Sequence, residues 1–314
     1  STNLKTYDFG SFDFSSKGNN TLNETNKTKT EIINNLNFKT NDKILEKIGL
    51  KNNLNFYFKN SNSLGKNIPD YKNSPEVNFR SLVEFNSELP LIKINEKNIE
   101  TLIPRLSLKF NPSEMKNNSD ANRKIDIENI FDSNRLSLDD SLEPGKSITI
   151  GTNYKKQNSS NRNNFIEYKL ATVFRDKHEN SIPSETSLNK RNSNLFGSVN
   201  YSLSKNFKVD YNFATDNKVE NFVYNSLGVD LSINNFITTF NFIEEESTKG
   251  NTNSIENITK YNIDNNNSLA FKTRKNREIS LTEYYDLVYE YKNDCLTAGV
   301  KFNKTYYEDR DLKP

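Results

Sequence analysis

Very few residues in this chain could do catalytic or metal chemistry. The sequence has one histidine, His178, and one cysteine, Cys295. His178 lies in the polar stretch 175–180, which we interpret as a surface loop rather than the setting of a general base. One cysteine and one histidine are too few for the usual ligand set of a zinc site. The sequence therefore gives no reason to expect an enzyme, a metal ion or a cofactor.

One string looks like a phosphate-binding loop but does not satisfy the motif. Residues 143–147 read EPGKS, whereas the motif needs a glycine five residues before the Gly-Lys pair, and Asp140 stands there. A strand rather than a helix is predicted to follow. The acidic runs at 139–140 and 244–246 fall in predicted loops, where solvated carboxylates are common, so they do not predict a cation site.

The elements that must position these residues are short strands with alternating side chains. Residues 279–291 place Ile, Leu, Tyr, Leu, Tyr and Tyr at odd positions, interrupted only by Glu283, and mostly polar residues at even positions. Successive side chains of a strand point to opposite faces, so each run has one apolar and one polar face. A series of such segments, each about ten residues long and separated by turns, is typical of a transmembrane β-barrel. We predict strands at 4–14, 31–41, 49–60, 76–88, 100–110, 146–156, 163–175, 192–203, 206–215, 220–231, 236–245, 253–262, 267–275, 279–291 and 295–307.

Longer connections are predicted at most of the alternate positions of this series, at 15–30, 61–75, 111–145, 176–191 and 246–252. Two connections break the alternation: 216–219 is short where a long one is expected, and 89–99 is long where a short one is expected. In a meander, alternate connections lie at the same end of the sheet. Long loops at one end and short turns at the other are how outer-membrane barrels are built, and the short turns are periplasmic. The fold class is therefore all-β, an antiparallel transmembrane β-barrel of which these residues supply about fifteen strands.

Bulk composition alone points away from a membrane protein. The chain is 33% hydrophobic with a mean hydropathy of -0.86, and no run approaches the ~18 apolar residues of a membrane helix. A barrel with a water-filled lumen, however, needs only one apolar face per strand, and most of the 21 Phe and 15 Tyr lie in the alternating runs. The net charge of +2 gives no reason to expect a nucleic-acid partner.

Two features leave alternatives open. The segment 111–145 is rich in turn-forming residues but contains Ile125, Ile127, Ile130 and Phe131, so it is either a solvated surface loop or a loop that packs into the lumen or against a partner. Cys295 falls in a predicted periplasmic turn, and that compartment is oxidising. Because these 314 residues hold no second cysteine, Cys295 is either free or bonded to a cysteine elsewhere in the polypeptide.

Four stretches carry a resemblance to a known family. They are 102–112 (LIPRLSLKFNP), 129–136 (NIFDSNRL) with Asp139, 143–151 (EPGKSITIG), and the C-terminal 307–314 (YEDRDLKP). Together they resemble the central and C-terminal barrel signatures of the LptD family of lipopolysaccharide assembly proteins. The rhythm of strands and loops extends this resemblance over the whole chain.

The resemblance implies a periplasmic β-jellyroll, then a barrel of about 26 strands plugged by the lipoprotein LptE. Lipopolysaccharide arrives along a bridge that ends in LptA, passes the jellyroll and leaves by a lateral opening toward the outer leaflet of the outer membrane. Members of the family carry an adjacent cysteine pair at the position of Cys295, bonded to cysteines of the periplasmic domain. Here Asp294 precedes Cys295 and Leu296 follows it, so the resemblance implies at most one such bond. We accordingly expect residues 1–314 to be part of a single barrel domain, without the jellyroll, the early strands and the last strand.

Two residue sets follow from this interpretation. Polar faces of predicted strands supply the lumen-facing candidates, together with Asn53 and Asn55; the main set is Lys208, Asp210, Asn212, Thr282, Lys301 and Asn303. The long loop supplies candidates for contact with the plug, namely Phe131, Asn134, Arg135 and Asp139. The alternative functions are a porin or receptor barrel for small solutes, a secreted β-solenoid adhesin, for which no repeat period is present, and a soluble enzyme, for which no site is present.

Overall fold

A computed structural model describes residues 2–23, 26–68, 71–247 and 250–306, which are almost entirely β-strand. One 3-10 turn, Ser184–Thr186, is the helical element that these residues contain. The strands are β1 Thr2–Tyr7, β2 Gly10–Asn23, β3 Lys27–Thr40, β4 Lys43–Leu45, β5 Leu50–Lys66, β6 Glu76–Glu88, β7 Leu91–Ile94, β8 Asn98–Asn111, β9 Gly145–Asn158, β10 Phe165–Arg175, β11 Leu195–Ser204, β12 Phe207–Thr215, β13 Phe222–Ile233, β14 Phe236–Glu245, β15 Thr252–Asn262, β16 Asn267–Asn276, β17 Leu281–Lys292 and β18 Thr297–Thr305.

Fourteen of the fifteen predicted ranges each coincide with one long strand, and the first prediction is wrong. The range 4–14 contains a turn at Asp8 and Phe9, which separates β1 from β2. Apolar alternation runs on from Tyr7 to Phe9 in the sequence, so the pattern did not mark this turn, although Asp is a common turn residue. The other additional strands, β4 and β7, are short pieces within connections.

Two of the predicted long loops contain long extensions of strands. Residues 15–23 continue β2, and residues 61–66 continue β5, where the sequence becomes rich in Asn, Ser and Lys. Their backbone pairing is regular; Asn23 lies opposite Lys27, and Lys66 opposite Thr28. Backbone hydrogen bonds stabilise these extensions whatever their side chains are. The polar side chains therefore predicted loops where the strands continue. The C-terminal motif at 307–314 lies outside the described residues.

The strands form one sheet with antiparallel pairing between sequence neighbours, as a meander requires. Within the described residues the sheet does not close on itself, as expected of an incomplete barrel. The chain falls into two compact units, one formed by 1–91, 102–152 and 171–194 and the other by 92–101, 153–170 and 195–314.

The first unit has its core on one side of the sheet. Connections 112–144 and 176–194 supply buried apolar side chains that cover this face, together with buried strand residues. These apolar side chains are Met115, Ile125, Ile127, Ile130, Leu136, Leu138, Leu142, Ile182 and Leu188 from the connections and Ile33, Tyr57, Leu82, Ala171 and Val173 from the strands. The opposite face carries exposed Leu54, Phe58, Phe79, Leu108 and Phe110, which suits contact with lipid acyl chains.

The second unit has one polar and one apolar face. Register places Tyr211, Leu227 and Phe242 in one cross-strand row of the apolar face. Aromatic rings recur on this face, with Tyr211 stacked on Phe213 at 5.6 Å between ring centroids. In the adjacent rows, Asp210 lies opposite Gly228 and Gly228 opposite Asn241 on the polar face.

We expect Gly10→Ala to destabilise the β2–β3 hairpin by about 1–3 kcal/mol, because the strands approach closely there. A Cβ at Gly10 would lie 2.3 Å from the carbonyl oxygen of Lys39, which is backbone and cannot move aside alone. Gly18→Ala on the same strand is the matched control, since its nearest neighbour would be the Ile32 side chain at 3.9 Å. The stability of each variant barrel is measured as the temperature at which the folded form, which migrates differently from the unfolded form on a gel, disappears. Equal effects of the two substitutions would contradict the expectation.

Candidate functional site

The connection 112–144 is the candidate site, because it lies folded on the polar face of the first unit. It joins β8 to β9 without a regular element longer than a turn. Its apolar side chains point to the sheet; Ile130 is fully buried, and Leu142 packs with Tyr57 and Leu82. The interpretation as a solvated surface loop is therefore wrong, because the connection packs on the sheet. Packing in a lumen or against a partner stays a prediction.

Basic side chains of the strands anchor the backbone of this connection. Lys59 on β5 donates to the carbonyl oxygens of Leu138, at 3.4 Å, and of Asp139. Lys109 on β8 donates to the carbonyl oxygen of Asp132. Irregular backbone buried against a sheet needs such donors, because an unpaired buried carbonyl costs free energy. The two ammonium groups therefore supply hydrogen-bond donors to the carbonyl oxygens of the connection, and these oxygens are the acceptors that the buried lysines need.

Arg80 on β6 makes a similar set of contacts. Its guanidinium donates to the carbonyl oxygens of Asp140, at 2.9 Å, and Glu114, at 3.3 Å, and to the Ser61 hydroxyl at 2.9 Å. Glu114 and Asp140 lie near opposite ends of the connection, so one side chain ties both ends to the sheet. The planar guanidinium with its five N–H donors suits this role better than an ammonium group would.

A buried ion network closes the C-terminal end of the connection. The Arg135 guanidinium binds Glu143 through two bonds of 2.6 and 2.7 Å, and Arg175 from β10 binds the same carboxylate. Arg135 also donates to the hydroxyls of Thr149, at 2.8 Å, and Ser147, at 3.1 Å, on β9. Charged groups out of water are tolerated only with such pairing, so this network fixes where the connection joins β9.

The network also sets the protonation of its carboxylate. Burial by itself favours the neutral form of Glu143, yet Arg135 and Arg175 together hold the pKa of that carboxyl far below its usual range. Glu143 is therefore ionised at any physiological pH. The carboxylate is a fixed charge within the fold and not a proton donor.

A second buried charge pair lies on the strands that the connection covers. Lys109 faces Glu84 on β6, with 3.5 Å between Nζ and Oε1. The other carboxylate oxygen of Glu84 accepts hydrogen bonds from Asn55 and from the Tyr57 phenol, both at 3.2 Å. Asn55 therefore lies on the face that the connection covers.

The connection 176–194 packs against the connection 112–144 and is hydrogen-bonded to it. Asn118 donates its backbone N–H to Ser181 at 2.9 Å, and Ser184 donates to the carbonyl oxygen of Ser119 at 3.1 Å. Ile182 and Leu188 are fully buried. The long connections of the first unit thus form one packed assembly rather than independent loops.

The four predicted plug-contact residues separate into two groups. Asn134 and Asp139 are exposed and available to a partner. Phe131 is half-buried, with Arg105 stacked over its ring at 4.2 Å. Arg135 is 1% exposed and bound within the ion network, so the structure makes it an internal anchor rather than a surface residue. Contact with a plug stays a prediction for the other three.

Five of the six lumen-facing candidates lie on the polar face of the second unit. Lys208, Asp210 and Asn212 share one face of β12, and Lys301 and Asn303 both bind the Asp286 carboxylate, Lys301 at 3.2 Å. The exception is Thr282, which follows a register shift in the pairing of β16 with β17. Its hydroxyl accepts from the Tyr285 phenol at 3.5 Å.

Most of the residues that hold the site together were not predicted from the sequence. Lys59, Arg80, Lys109, Glu143 and Arg175 were not selected as a group, although each charged strand residue stands at a polar-face position of its alternating run. That pattern is the signal which could have found them. It could not have supplied the partners that the strand residues Lys59, Arg80, Lys109 and Arg175 find in the connection, which lie 23 to 80 positions away in the chain.

The described residues also bear on other kinds of site. They contain no group of three or more His, Cys, Asp or Glu side chains placed to hold a metal ion. No helix among them has the length and apolar character needed to span a membrane.

Comparison with known families identifies the chain. The family described as LptD, LPS transport system D, matches residues 53–273, about seven-tenths of the sequence and all of the anchored connection. The chain belongs to the LptD family. No curated protein matches it. Membership at this level means a component of lipopolysaccharide transport, a transport protein rather than an enzyme, and an antiparallel β-sheet of the kind found in outer-membrane barrels.

Proposed function

We propose that this chain forms part of the wall of an outer-membrane barrel that is plugged by the lipoprotein LptE and delivers lipopolysaccharide through a lateral exit to the outer leaflet. The observation that carries the proposal is the connection 112–144, anchored on the polar face by buried lysines and arginines. A barrel that passes solutes through an open pore has no need to cover its polar face this heavily. A wall that meets a plug needs a fixed, shaped inner surface.

The exposed side of the connection is the proposed contact with the plug. Asn134 and Asp139 are exposed residues of the connection, and the carbonyl oxygen of Asp139 accepts from the anchoring Lys59. Phe131 is close to them in sequence. We place the apolar faces of both units against outer-membrane lipid and the polar faces toward the lumen. The bridge protein LptA would act on an N-terminal periplasmic domain of the full protein, of which the 314 residues are one part of the barrel.

Photo-crosslinking from position 301 in the full-length parent protein, in cells, tests this function. Lys301 is replaced by a photoreactive residue, and the adducts are probed for lipopolysaccharide and for the lipoprotein. We expect an adduct with one or both. If the correctly inserted protein yields neither adduct and conducts small ions without a plug, the proposal is overturned and a porin or receptor function is favoured.

Cys295 provides a second, independent prediction. Its side chain is exposed and free in the turn between β17 and β18, where its backbone N–H donates to the Asn293 side chain at 3.0 Å. We expect Cys295→Ser to abolish one disulfide crosslink to the periplasmic domain in the full-length protein, because an exposed thiol in an oxidising compartment finds a partner. Mobility on a non-reducing gel measures this. Unchanged mobility would mean that Cys295 is a free thiol.

A further inference from the structure

We propose that a cavity beside the anchored connection is a binding subsite for an anionic sugar unit. The cavity has a volume of about 260 Å³ and lies between β2, β3 and β5 on one side and the turn 133–139 on the other. Its polar lining includes the side chains of Ser15, Lys17, Asn35, Asn37, Lys39 and Asn134. No residue of this lining belongs to the ion network of Arg135, so the cavity is separate from the element that holds the connection in place.

The charge of the cavity favours an anion. Lys17, Lys39 and Lys59 line it, against a single carboxylate, Asp139. Lys17 is paired with Asp139 at 2.6 Å, and Lys59 is bound to carbonyl oxygens of the connection. Lys39 is exposed and, within the described residues, has neither an ion pair nor a hydrogen bond of its ammonium group. Lys39 therefore leaves one unpaired positive charge in a lining whose other charged groups have partners.

The remaining lining suits a sugar rather than a simple ion. Asn35 donates to the Ser15 hydroxyl at 3.2 Å, which orients both groups, whereas the Asn37 side chain makes no hydrogen bond within the described part of the chain. Free amide groups match sugar hydroxyls as donors and acceptors. Behind them, Ile33 and Tyr57 form an apolar wall against which the C–H face of a sugar ring can pack.

The size of the cavity limits its occupant to one unit. It is slightly smaller than the roughly 300–1,000 Å³ of most small-molecule pockets, so it holds one sugar ring and its charged substituent rather than a whole glycolipid. The inference rests on the proposed function, in which this face is the lumen wall along which the saccharide of the transported lipid passes. The proposed subsite specifies the part of this wall that binds the saccharide, and Lys39 as the charged group that binds it.

The test places a photoreactive residue at Asn37 of the full-length protein in cells and measures the yield of lipopolysaccharide adduct. In this background we expect Lys39→Gln to lower the yield about three- to fivefold, the upper part of the range for losing one exposed ionic contact. Lys39→Arg should restore it. Lys47→Gln is the matched control, because Lys47 is an exposed lysine of the same unit outside the cavity.

The same cells carry the position 301 probe as a reference. An adduct at 301 with none at 37, or a yield at 37 that Lys39→Gln and Lys47→Gln lower equally, overturns the subsite and leaves the proposed function standing. Absence of lipopolysaccharide adducts at both positions overturns both. The yield of adduct at position 37 is also measured in cells whose lipopolysaccharide lacks phosphate on its sugars. A lower yield in those cells than in wild-type cells supports an anionic sugar, whereas an unchanged yield overturns the anionic character of the occupant.

Discussion

Glu143→Gln is expected to release the C-terminal end of the connection 112–144 from the sheet, at a cost of about 3–5 kcal/mol. The carboxylate of Glu143 compensates two guanidinium groups, those of Arg135 and Arg175, which are almost completely buried. The amide is nearly isosteric but neutral, so two cations would be left out of water without a counter-charge. Removing one partner of a buried pair is costly for this reason, even where the intact pair adds little net stability.

Proteolysis within the connection, in the full-length protein in membranes, measures this effect. Cleavage follows the population of the locally open state, and 3 kcal/mol corresponds to an increase of more than about a hundredfold. Glu46→Gln is the control, since Glu46 is an exposed turn residue of the same unit. A Glu143→Gln protein that is cleaved no faster than the control would show that the network is not what holds the connection.

The same network gives the direction of a pH effect. The folded state lowers the pKa of Glu143, so its ionised form contributes stability that is fully present above the unfolded value of about 4.3. That contribution is lost as the pH falls below this value, and not as the pH rises. We therefore expect cleavage of the wild-type connection to accelerate on acidification below about pH 4 and to be flat between pH 6 and 8. The Glu143→Gln protein should lack the acid dependence.

Replacement of residues 113–141 by a short Gly-Ser linker is expected to lower co-purification of the plug lipoprotein at least about tenfold. The deletion removes the exposed surface around Asn134 and Asp139 that we assign to the plug contact, a loss of roughly 1.4 kcal/mol or more. It leaves every strand and its backbone pairing intact, and it keeps Glu143 opposite Arg175. Insertion of the barrel should persist, because the uncovered lysines of the polar face can be solvated in a water-filled lumen.

Two further variants make this result specific. Replacement of the short connection 216–221 by the same linker controls for loop replacement as such, since that connection carries none of the proposed contact. Asn134→Arg introduces bulk and charge at an exposed position and should weaken association by itself. It removes the 3.3 Å hydrogen bond from Asn134 to the carbonyl oxygen of Leu138, which keeps its bond from Lys59. If the plug lipoprotein co-purifies normally with both the shortened protein and Asn134→Arg, the contact lies elsewhere.

Alternation of side chains determined the strands of this protein from sequence. In 279–291 and 295–307 the period of two is so regular that both strands and the turn between them were predictable, and β17 and β18 are found there. Their faces were also predictable, except at Thr282, where a register shift moves the side chain off the polar face. The prediction failed at Asp8, where the alternation continues across a turn, and in 15–23, where a strand runs on through polar residues. In both places backbone hydrogen bonding, which side-chain pattern reports only indirectly, decided the outcome.

Family membership was likewise contained in local sequence, since the stretches 102–112 and 143–151 lie within the matched residues 53–273. The packing of the connection 112–144 on the sheet was not contained in local sequence. Its composition is that of a solvated loop, and its apolar residues did not say what they would pack on. The folded chain brings Lys59, Arg80 and Arg175 to it from strands distant in sequence, and their burial makes each unpaired charge or carbonyl costly enough to force the pairing. Sequence by itself determined the sheet and its two faces; only the tertiary structure decided that one face is covered, because that depends on partners which no local pattern encodes.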